Sequence, residues 1–252
     1  MTTKNPNFSE NMLSVEEARD NILNMMSVLN TVYIPLSDCL GHVLSKDISS
    51  IIDVPPWNNS AMDGFAVIAN NTQGSSESNP VKLNVIDSVY AGDMPKLKVA
   101  HNTAIRIMTG APMPDGANAV VPFEQTNEIQ QQLNSKQLNT IDILKPVKEN
   151  DYIRFRGEDI KSGDSIFTKG TILRPSEIGV LATLGFKEIP VIRKPKIAII
   201  STGNELTTIG ETIQPGKIYD ANTYSIAASV EKYGGNPIIL GIAKDNEESL
   251  NK

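Results

Sequence analysis

Apolar and polar positions follow two rhythms along this chain, and the rhythm changes more than once. Val15, Ala18, Ile22, Met25, Met26 and Leu29 recur at helical spacing, which predicts an amphipathic helix near the start. Ser14 precedes the stretch and Glu17 stands three residues on, the pattern of a capping box. The apolar stripe, both methionines included, is expected to fill core. Val32 to Leu36 reads as a short strand, Ser37 and Asp38 begin a brief helix that breaks near Gly41, and Val43 to Ile52 is extended.

From Val54 to Lys148 the apolar runs shorten and turns multiply, which predicts a mostly β domain. Its strands are expected at Gly64 to Ala69, Val81 to Val89, Ala104 to Met108, Ala119 to Pro122 and Ile141 to Leu144. Asn70 to Pro80 reads as a surface loop, and the glutamine-rich stretch Gln125 to Asn139 as a hairpin tip. Strand alternation over Tyr152 to Ile160 would place Arg154 and Arg156 on one face, with Ile153 and Phe155 on the other. A helix follows, with Pro175 at its first position, an apolar face of Ile178, Leu181, Ala182 and Leu184, and Gly185 as its stop.

The last segment changes class. Lys196 to Ile200 is a near-continuous apolar strand of the kind a parallel sheet buries on both faces. Asn222 to Tyr233 reads as a helix stopped by Gly234-Gly235, and Pro237 to Gly241 as the next strand, making one βαβ unit. Asp245 with Glu248 looks like a further capping box, with a helix starting as the sequence ends. Two parallel strands and one helix cannot bury both faces of a sheet, so this domain is expected to be incomplete.

Composition narrows the chemistry. At 252 residues the chain can hold one large domain or two to three small ones. A net charge of −6 argues against a nucleic-acid grip that works by neutralising phosphates. The single Cys39 excludes an intrachain disulfide and a cysteine zinc cluster, and with only His42 and His101 a histidine metal site is equally disfavoured. A metal here should be a hard cation held by carboxylates, with magnesium the first choice. No apolar run approaches the ~20 residues that span a bilayer, and the polar N-terminus lacks the core of a secretory signal, so a cytoplasmic location with no membrane partner is expected.

Three stretches carry candidate chemistry. Pro55 to Ala66 holds the only tryptophan, Trp57, and presents Asp63-Gly64 as a tight turn running into a strand. The plain reading is a hairpin turn whose Asp63 bonds its own backbone; the functional one is a carboxylate displayed for chemistry. Thr109 to Pro114 is a rigid turn of hydroxyl, glycine and prolines whose backbone amides would suit an oxyanion, or else plain loop chemistry. Ser201 to Leu206 ends a buried strand, where α/β folds bind ligands. Arg154 and Arg156 read either as a solvated edge with local salt bridges or as an anion-facing ledge.

Taken in order, Asn59 to Ala66, Arg106 to Pro114, Arg156 to Ile160, Ser201 to Leu206 and Ile218 to Asn222 resemble the molybdopterin molybdenumtransferases, the family that includes bacterial MoeA and the E domain of gephyrin. The resemblance covers nearly the whole chain. It implies an α/β and mostly-β multidomain fold: a discontinuous linker and dimerisation domain (1–53 plus 149–185), an inserted β domain (54–148), and the first part of an α/β molybdopterin-binding domain (186–252). It implies insertion of molybdate into adenylylated molybdopterin with release of AMP, aided by Mg2+, in a homodimer. Carried over residue by residue, it gives Asp63, Thr109 and Asp159 as catalytic and Ser60, Gly110, Arg156, Ser201, Thr202 and Gly203 as substrate-binding. Glu205 and Asp245 would hold the metal. Family members continue well beyond Lys252, and molybdate cannot be told from tungstate on these residues. A non-catalytic dimerising scaffold, or an inactive fragment of such an enzyme, is the alternative.

Overall fold

A computed structural model describes residues 13–128 and 139–246. The hairpin tip predicted up to Asn139 falls largely outside those residues, as does Glu248 of the last capping box. The chain divides into two compact units, Met1–Asp47 with Phe167–Lys252, and Ile48–Ile166.

Helix α1 (Val15–Met25) starts as its sequence dictates: the Ser14 hydroxyl accepts the Glu17 amide, and the Glu17 carboxylate accepts the Ser14 amide at 2.8 Å. Its apolar stripe does not fill core. No residue of α1 is buried, and Met25 is 86% exposed. Helical spacing fixes where the stripe lies but not what covers it.

Strand β1 (Thr31–Pro35) leads to a single 3-10 turn at Leu36–Asp38, and β2 (Ile48–Ser49) is the short regular part of the extended stretch that follows. Next come β3 (Asn59–Ser60), β4 (Gly64–Val67), β5 (Val81–Val89), β6 (Thr103–Ile107), β7 (Ala119–Pro122) and β8 (Thr140–Ile143). Five of them form one sheet in the order β7-β4-β6-β5-β8, antiparallel except for the β5–β6 pair. Alternation puts Phe65, Val67, Leu83, Val121, Ile141 and Ile143 in one core, while Ala66, Ile105, Ile107 and Val120 enter another on the opposite face. Burial on both faces is why these strands read as apolar runs. The predicted surface loop after β4 begins with a buried 3-10 turn (Ala69–Thr72), because the Thr72 hydroxyl satisfies the Ala69 carbonyl at 2.7 Å.

Beyond the sheet lie β9 (Ile153–Arg154) and β10 (Ser165–Phe167). Helix α2 (Pro175–Thr183) follows, then β11 (Glu188–Ile192), which pairs antiparallel with β1. Glu177 holds the start of α2. It accepts the Arg174 guanidinium at 2.7 Å and the Arg174 amide at 2.9 Å, and the guanidinium foremost keeps its pKa at about 2. A carboxyl lowered from about 4.5 in this way stabilises the fold fully above that value, and its contribution fades as pH falls towards 2. Glu177→Gln is therefore expected to lower the melting temperature at pH 7, with the gap to wild type closing between pH 4.5 and pH 2. Melting curves across that range check it.

The last segment builds β12 (Lys196–Thr202), β13 (Leu206–Thr207), β14 (Ile218–Tyr219), helix α3 (Asn222–Lys232) and β15 (Asn236–Ala243). Strands β12 and β15 pair in parallel, as the βαβ reading requires. Burial on both sheet faces does not follow: Ile199 is buried, but Ile200, Ile238, Ile239 and Leu240 are exposed, because the described residues supply only α3 as cover.

Candidate functional site

The turn between β3 and β4 is built from Ser60. Its hydroxyl donates to the Met62 carbonyl at 2.5 Å, and its backbone is zipped to the next motif, with Gly110 N–H on Ser60 O at 2.8 Å and Ser60 N–H on Ala111 O at 3.0 Å. Gly110 takes φ +81°, a conformation that costs glycine little. Ser60 is fully buried and acts beneath the turn, while Asp63, Thr109 and Gly110 are exposed above it.

Asp63 does not bond its own turn. Its Oδ1 accepts the Thr109 amide at 2.7 Å and the Thr109 hydroxyl at 2.8 Å, joining positions 46 apart in sequence. The amide first and then the hydroxyl hold its carboxyl below the usual aspartate range, so it is an anion at neutral pH and a weak base. The expectation of free amides in the Thr109 loop is overturned. Thr109 N–H goes to Asp63, Gly110 N–H to Ser60, Ala111 N–H to Met108 and Met113 N–H to Asn58, while Pro112 and Pro114 have none. The Thr109 hydroxyl spends its one proton on Asp63 and so offers only lone pairs outward.

The arginine ledge also differs from the sequence reading. Regular pairing ends at Arg154, so alternation does not extend to Arg156. Arg154 bonds Glu158 at 2.8 Å and Asp159 at 2.5 Å, and Arg156 pairs with Asp53, whose carboxyl is held low by the Ser162 amide first and by Arg156. Asp159 is thus one half of an exposed ion pair. Arg156 also donates its amide to Asn58 Oδ1 at 2.8 Å.

In the other unit, Ser201, Thr202 and Gly203 close β12, and Gly203 N–H bonds Ala243 O at 3.2 Å across to β15. The Glu205 carboxylate lies over Gly203, where a Cβ would sit 2.6 Å from Oε2, and Lys217 bonds the Asn204 carbonyl. Glu205 and Asp245 follow neighbouring strands at the same sheet end, both exposed. Among the described residues no group of three or more His, Cys, Asp or Glu is placed to hold a metal. Two exposed carboxylates still fit magnesium, which keeps several waters and takes one or two carboxylates together with substrate phosphates.

Sequence reasoning missed Asp220 as a site residue. It is buried and accepts the Thr223 hydroxyl at 2.6 Å and the Thr223 amide at 3.1 Å. The Thr223 hydroxyl foremost holds its carboxyl low. Since Thr223 has given Asp220 its proton, the Ser201 hydroxyl, 2.7 Å from that of Thr223 and itself one of the groups holding Asp220 low, spends its own proton on Thr223 or Asp220. Ser201, like Thr109, then faces outward as an acceptor. The signal was present in Tyr219-Asp220-Ala221-Asn222, where an acid stands just ahead of a helix, but a solvated cap reads the same. Thr223→Val leaves Asp220 buried without its hydroxyl donor and is expected to cost about 1–3 kcal/mol, read from the denaturant midpoint.

Fold and site together define a multidomain protein in which a β unit displays an ionised turn carboxylate and an α/β unit displays a polar loop at a strand end. The chain belongs to the MoeA family: residues 13–185 match the MoeA N-terminal region (domain I and II). Residues 198–252 match a "Probable molybdopterin binding domain". It is 38% identical to the molybdopterin molybdenumtransferases of Staphylococcus aureus and Staphylococcus epidermidis, over 95% of this chain and 55% of theirs. The chain thus spans about half the length of the curated relatives it matches. Its fold is similar to the crystal structure of a molybdopterin biosynthesis MoeA protein from Pyrococcus horikoshii. The TM-score is 0.78 and the identity 36%, covering 94% of this chain and 59% of that one. A second crystal structure from that organism gives a TM-score of 0.77 at 37% identity, covering 92% and 62%.

Proposed function

We propose that this chain supplies the Asp63 turn and the Ser201 loop of a molybdopterin molybdenumtransferase, which inserts molybdate into adenylylated molybdopterin and releases AMP in molybdenum cofactor biosynthesis. The carrying observation is the Asp63–Thr109 pair: two family motifs distant in sequence meet in one exposed, ionised acceptor. In this reading Asp63 orients a donor or cation at the reacting centre, and the Thr109 amide and hydroxyl that hold its carboxyl low suit it to accept a hydrogen bond more than to protonate a leaving group. Asp159, tied to Arg154, would position rather than transfer. Gly110 and Ser60 hold the turn, Arg156 offers its remaining guanidinium N–H groups to oxyanions, and Ser201, Thr202 and Gly203 line the strand end.

In each unit the candidate residues, Asp63 and Thr109 in one and Ser201, Glu205 and Asp245 in the other, are acceptors, a poor match for molybdate and a phosphoanhydride by themselves. Mg2+ held by Glu205 and Asp245 would supply the positive charge that such anions need. The exposed apolar stripe of α1 suits burial against a second copy, in a cytoplasmic homodimer. A further part of the proposal is that a linker domain (1–53 with 149–185) and an inserted β domain (54–148) are distinct from 186–252. Family matches that end at 185 and resume at 198 support the last boundary alone, since 48–53 and 149–166 cluster with the β unit. Incubating the folded chain with adenylylated molybdopterin, molybdate and Mg2+ should release AMP only when molybdate is present. A stable dimer that releases none would contradict the transferase reading and favour a scaffold.

A further inference from the structure

On the β unit lies a cleft of about 650 Å³, a size typical of small-molecule sites, lined in part by residues of the stretches 55–66 and 109–114. It is lined by Trp57, by Met94, Lys96, Leu97 and Lys98 of one loop, and by Arg156. We propose that this cleft binds a small organic anion with a flat apolar body, of the aryl phosphate class. The cleft shares Arg156 with the proposed substrate contacts, but Asp63, Thr109 and Glu205 do not line it, and the inference does not rest on the transferase reading.

Charge is the first reason. Lys96, Lys98 and Arg156 line the cleft with one acid, Asp115, on a chain whose net charge is −6; Arg156 is already paired with Asp53, so the two lysines carry the argument. Among the described residues neither Lys96 nor Lys98 forms an ion pair, so their charge is available to a ligand. Apolar exposure is the second. Trp57 is 48% exposed, Leu97 47% and Met94 67%, beside a floor that includes Pro112 and Met113. An exposed indole and ammonium groups lining one cleft suit a ring that carries an anion.

The cleft is also built rather than incidental. Gly116 takes φ +84°, and a Cβ there would fall 2.2 Å from the Val99 carbonyl and 3.2 Å from Lys98 Cγ, so its bareness lets the Lys98 stem lie along the wall. Asn58 ties three lining segments together: its carbonyl accepts Met113 N–H at 2.9 Å, and its side chain accepts Arg156 N–H at 2.8 Å.

Because Trp57 is the only tryptophan, its emission reports occupancy directly. Titrating the full chain with phenyl phosphate, excited at a wavelength that the ligand does not absorb, should give a saturable change. Inorganic phosphate and benzyl alcohol should each bind about tenfold more weakly or worse, and Lys96→Ala/Lys98→Ala, checked by circular dichroism, should weaken phenyl phosphate about tenfold. No saturable change, an unaltered midpoint in the double variant, or inorganic phosphate matching phenyl phosphate would each overturn the proposal. Molybdate-dependent AMP release is measured separately, so failure here and failure of the transferase reading are told apart.

Discussion

Asp63→Ala is expected to lower the rate of AMP release about 100-fold or more, the scale on which a single preorganised charge acts at a reacting centre. The fold should survive. The two bonds lost are to the Thr109 amide and hydroxyl, at an exposed turn where water can replace them, so the stability cost stays within about 2 kcal/mol. Asp63→Asn separates the roles of shape and charge. It keeps an acceptor oxygen facing Thr109 but removes the charge that Thr109 now stabilises. A rate as low as that of the alanine variant identifies charge as what the site requires, and a rate near wild type identifies the hydrogen-bond geometry. Since Thr109 holds the Asp63 pKa low, no loss of rate from this carboxylate is expected on acidifying from pH 7 to about pH 5. Single-turnover rates with circular dichroism in parallel check all three statements.

Gly64→Ala should be the more damaging change to the fold, although it adds one methyl group. Gly64 is the first residue of β4 and pairs with Pro122 of β7 and Ile107 of β6. A Cβ at this position would lie 2.1 Å from the Val121 carbonyl oxygen and 2.8 Å from its carbon, both backbone atoms of a paired strand. Backbone cannot turn aside as a side chain can, so β4 and β7 must part. Phe65 and Val121 sit in the same core just beyond the clash, so the displacement reaches packed side chains. The expected cost is about 3 kcal/mol or more, which at about 2–4 °C per kcal/mol lowers the melting temperature by roughly 6–12 °C. A melting temperature equal to wild type would mean that this strand pair is not as close as described.

How far the sequence could be read depended on the range of the interaction. Helix starts were legible because Ser14 and Glu17 meet within one turn and because Pro175 suits a first helical position. The strands of the five-stranded sheet were legible because β4 and β7 are buried and apolar throughout, while β5 alternates more and less buried positions. What stayed hidden was long-range or depended on which partner took a proton. Thr109 as the partner of Asp63 could not be seen across the intervening residues, and the amides of the Thr109 loop gave no sign in sequence that Asp63, Ser60, Met108 and Asn58 already claim them. Asp220 was hidden because a buried carboxylate and a solvated cap have the same spelling. Family motifs located the Asp63 turn and the Thr109 loop, but only the structure showed that the loop's amides are spent and cannot cradle an oxyanion.

The central claim is that Asp63 and Thr109 act as one unit at the reacting centre, and a double-mutant cycle tests it most directly. Rates of AMP release are measured for wild type, Asp63→Ala, Thr109→Val and the double variant under the same molybdate and Mg2+ concentrations. If Thr109 acts through the carboxylate it holds, the double variant is no slower than Asp63→Ala. Independent effects that multiply in the double variant, or an Asp63→Ala rate equal to wild type, would contradict the account.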